Sequence, residues 1–225
     1  MIRPLLPIAA FALALAACGE SPPASAPAAN APAPSANITA AAPVPDRARV
    51  RLETDAGAIV LELNGRAAPV TTANFLAYVD QHKFDGITFY RASRTPQRTG
   101  QGFIQGGIRR NAMLSLPPIA HEPTSRTGLR HVDGTISMAR LEPGSAMGDF
   151  FIVAGAMPSM DAGNRRPSSG NNDTEGYAAF GRVVEGMDVV RRILAAPTIA
   201  NAGAGAMRGQ MLERQVRIVR AVRAD

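Results

Sequence analysis

A chain with no tryptophan, one cysteine and three histidines has few of the side chains on which covalent or metal chemistry is usually built. One cysteine cannot close an intrachain disulfide, so the folded part must be held by its core. His82, His121 and His131 stand in no metal-ligand spacing and have no partnering cysteine, so no metal site is expected; they read as surface or capping residues. No glycine-rich stretch has the form of a phosphate cradle, and no cofactor is expected. Lysine is nearly absent too: Lys83 is alone among 24 basic residues, the rest being arginine. The arginines are dispersed and form no dense basic run, so the net charge of +6 does not point to nucleic acid as a partner.

What is present divides the 225 residues into three regions. Residues 1–17 carry a positive charge at Arg3 and then the apolar run Pro4–Ala17, which at 14 residues is too short for an ordinary membrane-spanning helix. This reads as a signal peptide. It ends in Leu15-Ala16-Ala17-Cys18-Gly19, which resembles the lipobox of bacterial lipoproteins. That resemblance implies cleavage before Cys18, lipidation of its sulfur, and a periplasm-facing protein anchored to a membrane of the cell envelope, the outer one being favoured by Gly19. Residues 18–46 are rich in Ala, Pro and Ser and read as a linker, which as a random coil would span on the order of 30 Å. Residues 47–225 are then one folded domain, expected to be a monomer.

Within that domain, "RVRLETDAGAIVLELN" (49–64) alternates apolar and polar residues about a tight turn and predicts a hairpin. "APVTTANFLAYVDQHKF" predicts a helix that opens near Pro69 and packs through Phe75, Leu76 and Val79. Strands are predicted at 86–92, 102–107, 134–140, 149–155, 177–184 and 215–223, with a second helix at 185–194. Many short strands with two helices argue for a mainly β barrel or sandwich.

Taken in order, "FYR" (89–91), "IQGG" (104–107), "GTISMAR" (134–140), "FFI" (150–152) and "FGRVVEGMDVV" (180–190) resemble the cyclophilin family of peptidyl-prolyl cis-trans isomerases. The similarity spans most of residues 49–222. It implies a closed eight-stranded antiparallel barrel with two capping helices, and proline-containing peptide segments as binding partners. It also implies a role for each matching residue. Arg91 matches the catalytic arginine and Gln105 the glutamine that orients it. Phe151 matches the floor of a proline pocket, with Phe103, Met160 and Tyr177 around it and Tyr90 beside the arginine. Ala139 and Arg140 match the segment whose backbone pairs with bound peptide.

The chemistry suits this inventory. Rotating an X–Pro bond breaks no bond between heavy atoms; it twists an amide against a barrier of roughly 18–20 kcal/mol. An apolar slot for the ring and a fixed donor favouring the deconjugated nitrogen suffice, without nucleophile, base or metal. Arginine, always charged and forked, is a suitable donor. Three departures from the family pattern stand out: Tyr90 in place of a common His, Asp149 in place of Gln, and the polar stretch 162–176, which looks inserted. They leave open a second reading, a barrel that binds proline-containing segments or scaffolds an assembly with little turnover.

Overall fold

A computed structural model of the protein describes residues 44–164 and 174–224. Cys18, the signal peptide, most of the linker and the greater part of the 162–176 stretch lie outside the described residues.

The hairpin forms as expected: β1 (Ala48–Thr54) pairs in antiparallel register with β2 (Gly57–Leu63), Thr54 facing Gly57 across the turn. The chain continues through α1 (Pro69–Asp80), β3 (Thr88–Arg94), β4 (Gly102–Gly107), a single helical turn α2 (Thr124–Thr127), β5 (Thr135–Met138) and β6 (Asp149–Ala154). It closes with β7 (Ala178–Glu185), α3 (Met187–Ala195), the two-residue β8 (Thr198–Ile199) and β9 (Met211–Ala224). Eight strands run in the order β1-β2-β7-β5-β6-β4-β3-β9, and pairing of β9 with β1 completes the ring. The barrel is therefore closed, antiparallel and eight-stranded, with β8 appended to the outer edge of β9. Closure leaves no unpaired edge around the ring. Neither α2 nor β8 was expected from the sequence; four and two residues are too short to show a period.

The interior is aromatic. Phe75 of α1 packs on Phe84, Phe150 and Phe180 at centroid distances of 4.9, 5.3 and 5.3 Å, and Tyr78 stacks on Phe84. Such pairs each add about 0.5–1.5 kcal/mol beyond area burial. Helix α3 lies at the hairpin end, with Val189 against Gly57, whereas Asp80 of α1 holds Arg223, which pairs with Val50 toward the other end of β1. The two longer helices thus cover different ends of the barrel. Pro69 opens α1 as predicted, and the residue before it, Ala68, has no side chain able to cap the helix. The buried Glu122, from a distant loop, accepts from the N–H groups of Val70 and Thr71 and from the Thr71 hydroxyl. A carboxylate at this position satisfies orphan donors and meets the positive end of the helix.

Candidate active site

Strand register builds one row of side chains on the outer face of the barrel. Arg91 of β3 faces Gln105 of β4, Gln105 faces Phe151 of β6, and Phe151 faces Ser137 of β5. Simple alternation would not place Arg91 there, because Phe89 two residues earlier is fully buried in the interior. The register breaks between Phe89 and Arg91, making Tyr90 the extra residue of a β-bulge, and this turns Arg91 outward. Close approach of the neighbouring strands is allowed by Gly106 and Gly107. A Cβ on Gly106 would stand 2.9 Å from the Phe89 ring, and one on Gly107 2.5 Å from the Asp149 backbone.

Arg91 is held on two sides. Its Nη1 donates to Gln105 Oε1 at 2.8 Å, and its Nε donates to Gln210 Oε1 at 2.9 Å. The guanidinium lies over the Phe103 ring, 4.9 Å from the centroid. Both acceptors are neutral amides, so the positive charge is steadied without being cancelled. Burial pulls the Arg91 pKa below its ordinary value, and an arginine remains charged at any working pH even so.

Beside the arginine is an apolar recess. Phe103, Phe151, Val153 and Met160 form a cluster separate from the barrel core, with Ala139, Met157 and Tyr177 packed against it. Phe151 meets Phe103 and Tyr177 each at 5.2 Å, while Phe150, on the opposite face of β6, belongs to the interior. Ala139 donates its N–H to Asp149 O, and the Arg140 guanidinium donates to the carbonyl of Gly176 and lies over the Tyr177 ring. The structure thus brings together Arg91, Gln105, Phe103, Phe151, Met160 and Tyr177, with Ala139 and Arg140 along one side. Tyr90 lies next to Arg91 in β3. Its residue is 6% exposed and its phenol donates to Asp149 Oδ1 at 3.0 Å.

His131 requires a correction. It is not a surface residue but is buried, stacked on Phe151 at 5.9 Å and 14°. Its Nδ1 lies 2.7 Å from Asp161 Oδ1 and its Nε2 3.0 Å from Ser137 Oγ. Gln210 is a second residue that the sequence did not disclose. It lies outside every recognisable motif, just before β9, and reaches Arg91 because Arg91 pairs with Met211. Among the described residues no group of three His, Cys, Asp or Glu is placed to hold a metal ion.

An outward arginine beside a recess of aromatic and thioether groups, on a closed eight-stranded barrel, is an arrangement that can take an apolar group next to a fixed positive donor. Comparison with known proteins gives the family. Residues 49–222 match the family model described as cyclophilin type peptidyl-prolyl cis-trans isomerase/CLD. The chain is 39% identical over 155 residues to peptidyl-prolyl cis-trans isomerase cyp18 of Streptomyces antibioticus, covering 68% of this chain and 87% of the relative. It is 33% identical over 145 residues to peptidyl-prolyl cis-trans isomerase B of Escherichia coli, covering 64% and 82% respectively. A crystal structure of a cyclophilin type isomerase from Cryptosporidium parvum superposes with a TM-score of 0.62 at 19% identity, over 80% of this chain and 98% of that one. The chain belongs to the cyclophilin family.

Proposed function

We propose that this protein is a peptidyl-prolyl cis-trans isomerase in which Arg91 is the electrostatic catalyst. The proline ring of the substrate enters the recess of Phe103, Phe151 and Met160, with Tyr177 at its side. Arg91 donates toward the amide as it twists and favours the pyramidal, deconjugated nitrogen. Ala139 and Arg140 receive the peptide backbone alongside. The observation that carries this reading is the guanidinium fixed by Gln105 and Gln210 over the Phe103 ring. A donor already held in place costs little reorganisation when charge shifts in the transition state. A protease-coupled assay on an X–Pro peptide tests it: catalysis above the thermal rate is expected, and its absence in folded protein would favour the binding-barrel reading.

We further propose that the substrates are segments of exported proteins and that the enzyme is tethered in the cell envelope through Cys18. Support comes from the sequence alone: the only cysteine follows Leu15-Ala16-Ala17 and precedes a 28-residue linker, 19–46. Each buried methylene contributes about 0.8 kcal/mol, so several acyl chains hold firmly where one does not. Cys18→Ser is expected to release the protein from membranes or to block its maturation; wild-type protein wholly in the soluble fraction refutes the tether.

A further inference from the structure

Asp149 sits where its carboxylate touches neither Arg91 nor the recess, yet it ends a chain of hydrogen bonds that begins at Arg91. Asp149 Oδ1 accepts from the Tyr90 hydroxyl at 3.0 Å and from the Arg109 N–H at 3.1 Å. The Tyr90 oxygen in turn accepts from Gln105 Nε2 at 2.8 Å, and Gln105 Oε1 accepts from Arg91 Nη1 at 2.8 Å. Every donor in this chain points toward Asp149.

The direction is set from both ends, by a guanidinium that only donates and a carboxylate that only accepts. An ionised carboxylate only accepts, so it takes the single hydroxyl proton of Tyr90 and leaves the phenol oxygen able only to accept. That oxygen must then face the amide NH2 of Gln105, which turns the amide oxygen to Arg91. Without an acceptor at 149 the phenol could donate to Gln105 Oε1 instead. The phenol proton would then compete with the guanidinium, which can only donate, for the same amide oxygen and pull the amide off its aim.

We propose that Asp149 and the bulge residue Tyr90 are positioning residues that fix the amide orientation of Gln105 and, through it, the aim of Arg91. This rests on the reading of Arg91 as the electrostatic catalyst. It makes the two departures at positions 90 and 149 a matched pair: the phenol needs the acceptor, and the acceptor reaches Gln105 through the phenol. Arg109, whose guanidinium lies 5.0 Å from the Tyr90 ring centroid, covers the relay from the outer side.

The test compares Asp149→Ala, Asp149→Asn and Tyr90→Phe in the full chain, with kcat and KM measured on one X–Pro peptide. Asp149→Ala is expected to lower kcat about tenfold, the value of one oriented hydrogen bond of about 1.4 kcal/mol, with KM within about twofold. Asp149→Asn keeps an acceptor oxygen while removing the charge and is expected to restore kcat to within about threefold of wild type. Tyr90→Phe should match Asp149→Ala, and the double variant should be no worse than either alone. Wild-type kcat in Asp149→Ala overturns the proposal, as does an Asp149→Asn variant as impaired as Asp149→Ala, or a loss confined to KM. If Asp149→Ala fails to fold, Tyr90→Phe, which keeps the ring, carries the test. Arg91→Ala separates the two levels: if it retains activity the catalyst reading itself fails, whereas its loss beside an unimpaired Asp149→Ala removes the relay alone.

Discussion

Arg91→Ala is the perturbation that bears most directly on how this barrel works, because its effects on rate and on stability should differ widely. The side chain makes two charge-assisted hydrogen bonds to neutral amides and one contact with the Phe103 face. Truncation leaves Gln105 Oε1 without its donor, and Gln105 is only 8% exposed. An orphaned buried acceptor costs about 1–3 kcal/mol. Part of this is recovered, since the cavity left by the guanidinium opens to solvent and the cost of desolvating a charge disappears. A net loss of about 1–2 kcal/mol corresponds to a few degrees in Tm for a domain of this size. On the rate side, removing one preorganised donor from a site of developing charge commonly lowers kcat by about 10²–10³.

The expected result is therefore turnover near background in a protein that still melts cooperatively within a few degrees of wild type. The protease-coupled assay with excess protease reads the first, and circular dichroism the second. Arg91→Lys sharpens the comparison. Lysine keeps the charge, but its compact ammonium cannot hold the Gln105 and Gln210 acceptors and also present a donor to the substrate in one planar fork. It should lie much nearer to alanine than to wild type. Activity in Arg91→Ala within about threefold of wild type would refute electrostatic preorganisation as the source of catalysis.

Two further outcomes follow from packing and protonation. Phe151→Ala removes a ring that is 3% exposed and meets Phe103, Tyr177 and His131; a loss of about 3–5 kcal/mol in chemical denaturation is expected, with a marked rise in KM, and a loss confined to KM would mean that the recess stands without its floor. Burial pushes the phenols of Tyr78 and Tyr90 above their ordinary value of 10.0, and the Asp149 carboxylate adds to this at both. The unfolded chain therefore releases these protons first, so their contribution to stability is complete below pH 10.0 and is lost as pH rises beyond it. Phenolate absorbance from these two residues should appear with unfolding, and its appearance in the folded protein would contradict the burial argument.

The sequence was legible where local pattern and final geometry agree. Alternation about Asp55-Ala56-Gly57 located the β1–β2 hairpin, and the run from Pro69 located α1, because period and turn chemistry are set by near neighbours. It was least legible where geometry depends on a register break. Alternation assigns Phe89 and Arg91 to the same face, and only the bulge at Tyr90 separates them. Arg91 was found through the "FYR" resemblance, not through the pattern. Gln210 and Glu122 were missed for a related reason. Each acts on a partner far away in the chain, Gln210 on Arg91 and Glu122 on Thr71, and nothing in a local window records such a pairing.

His131 shows most clearly how chemistry and place together decide a role. Asp161, His131 and Ser137 have the order and distances of an acyl-transfer relay, 2.7 and 3.0 Å between successive groups. Yet Ser137 is fully buried in β5, between Phe151 on one neighbouring strand and Ala179 on the other, so no carbonyl carbon can reach its Oγ. A nucleophile needs access, and this hydroxyl has none. What the three residues can do is brace. Asp161 directly follows Met160, and its Oδ1 accepts from the His131 backbone N–H while it meets the His131 ring. The ring in turn lies flat on Phe151. The relay therefore ties the Met160 wall of the recess to its Phe151 floor through a buried polar path whose neighbouring groups all have partners. A half-satisfied network at that depth would cost more than an apolar filling. Its completeness makes it a rigid support for a site whose catalysis depends on fixed geometry.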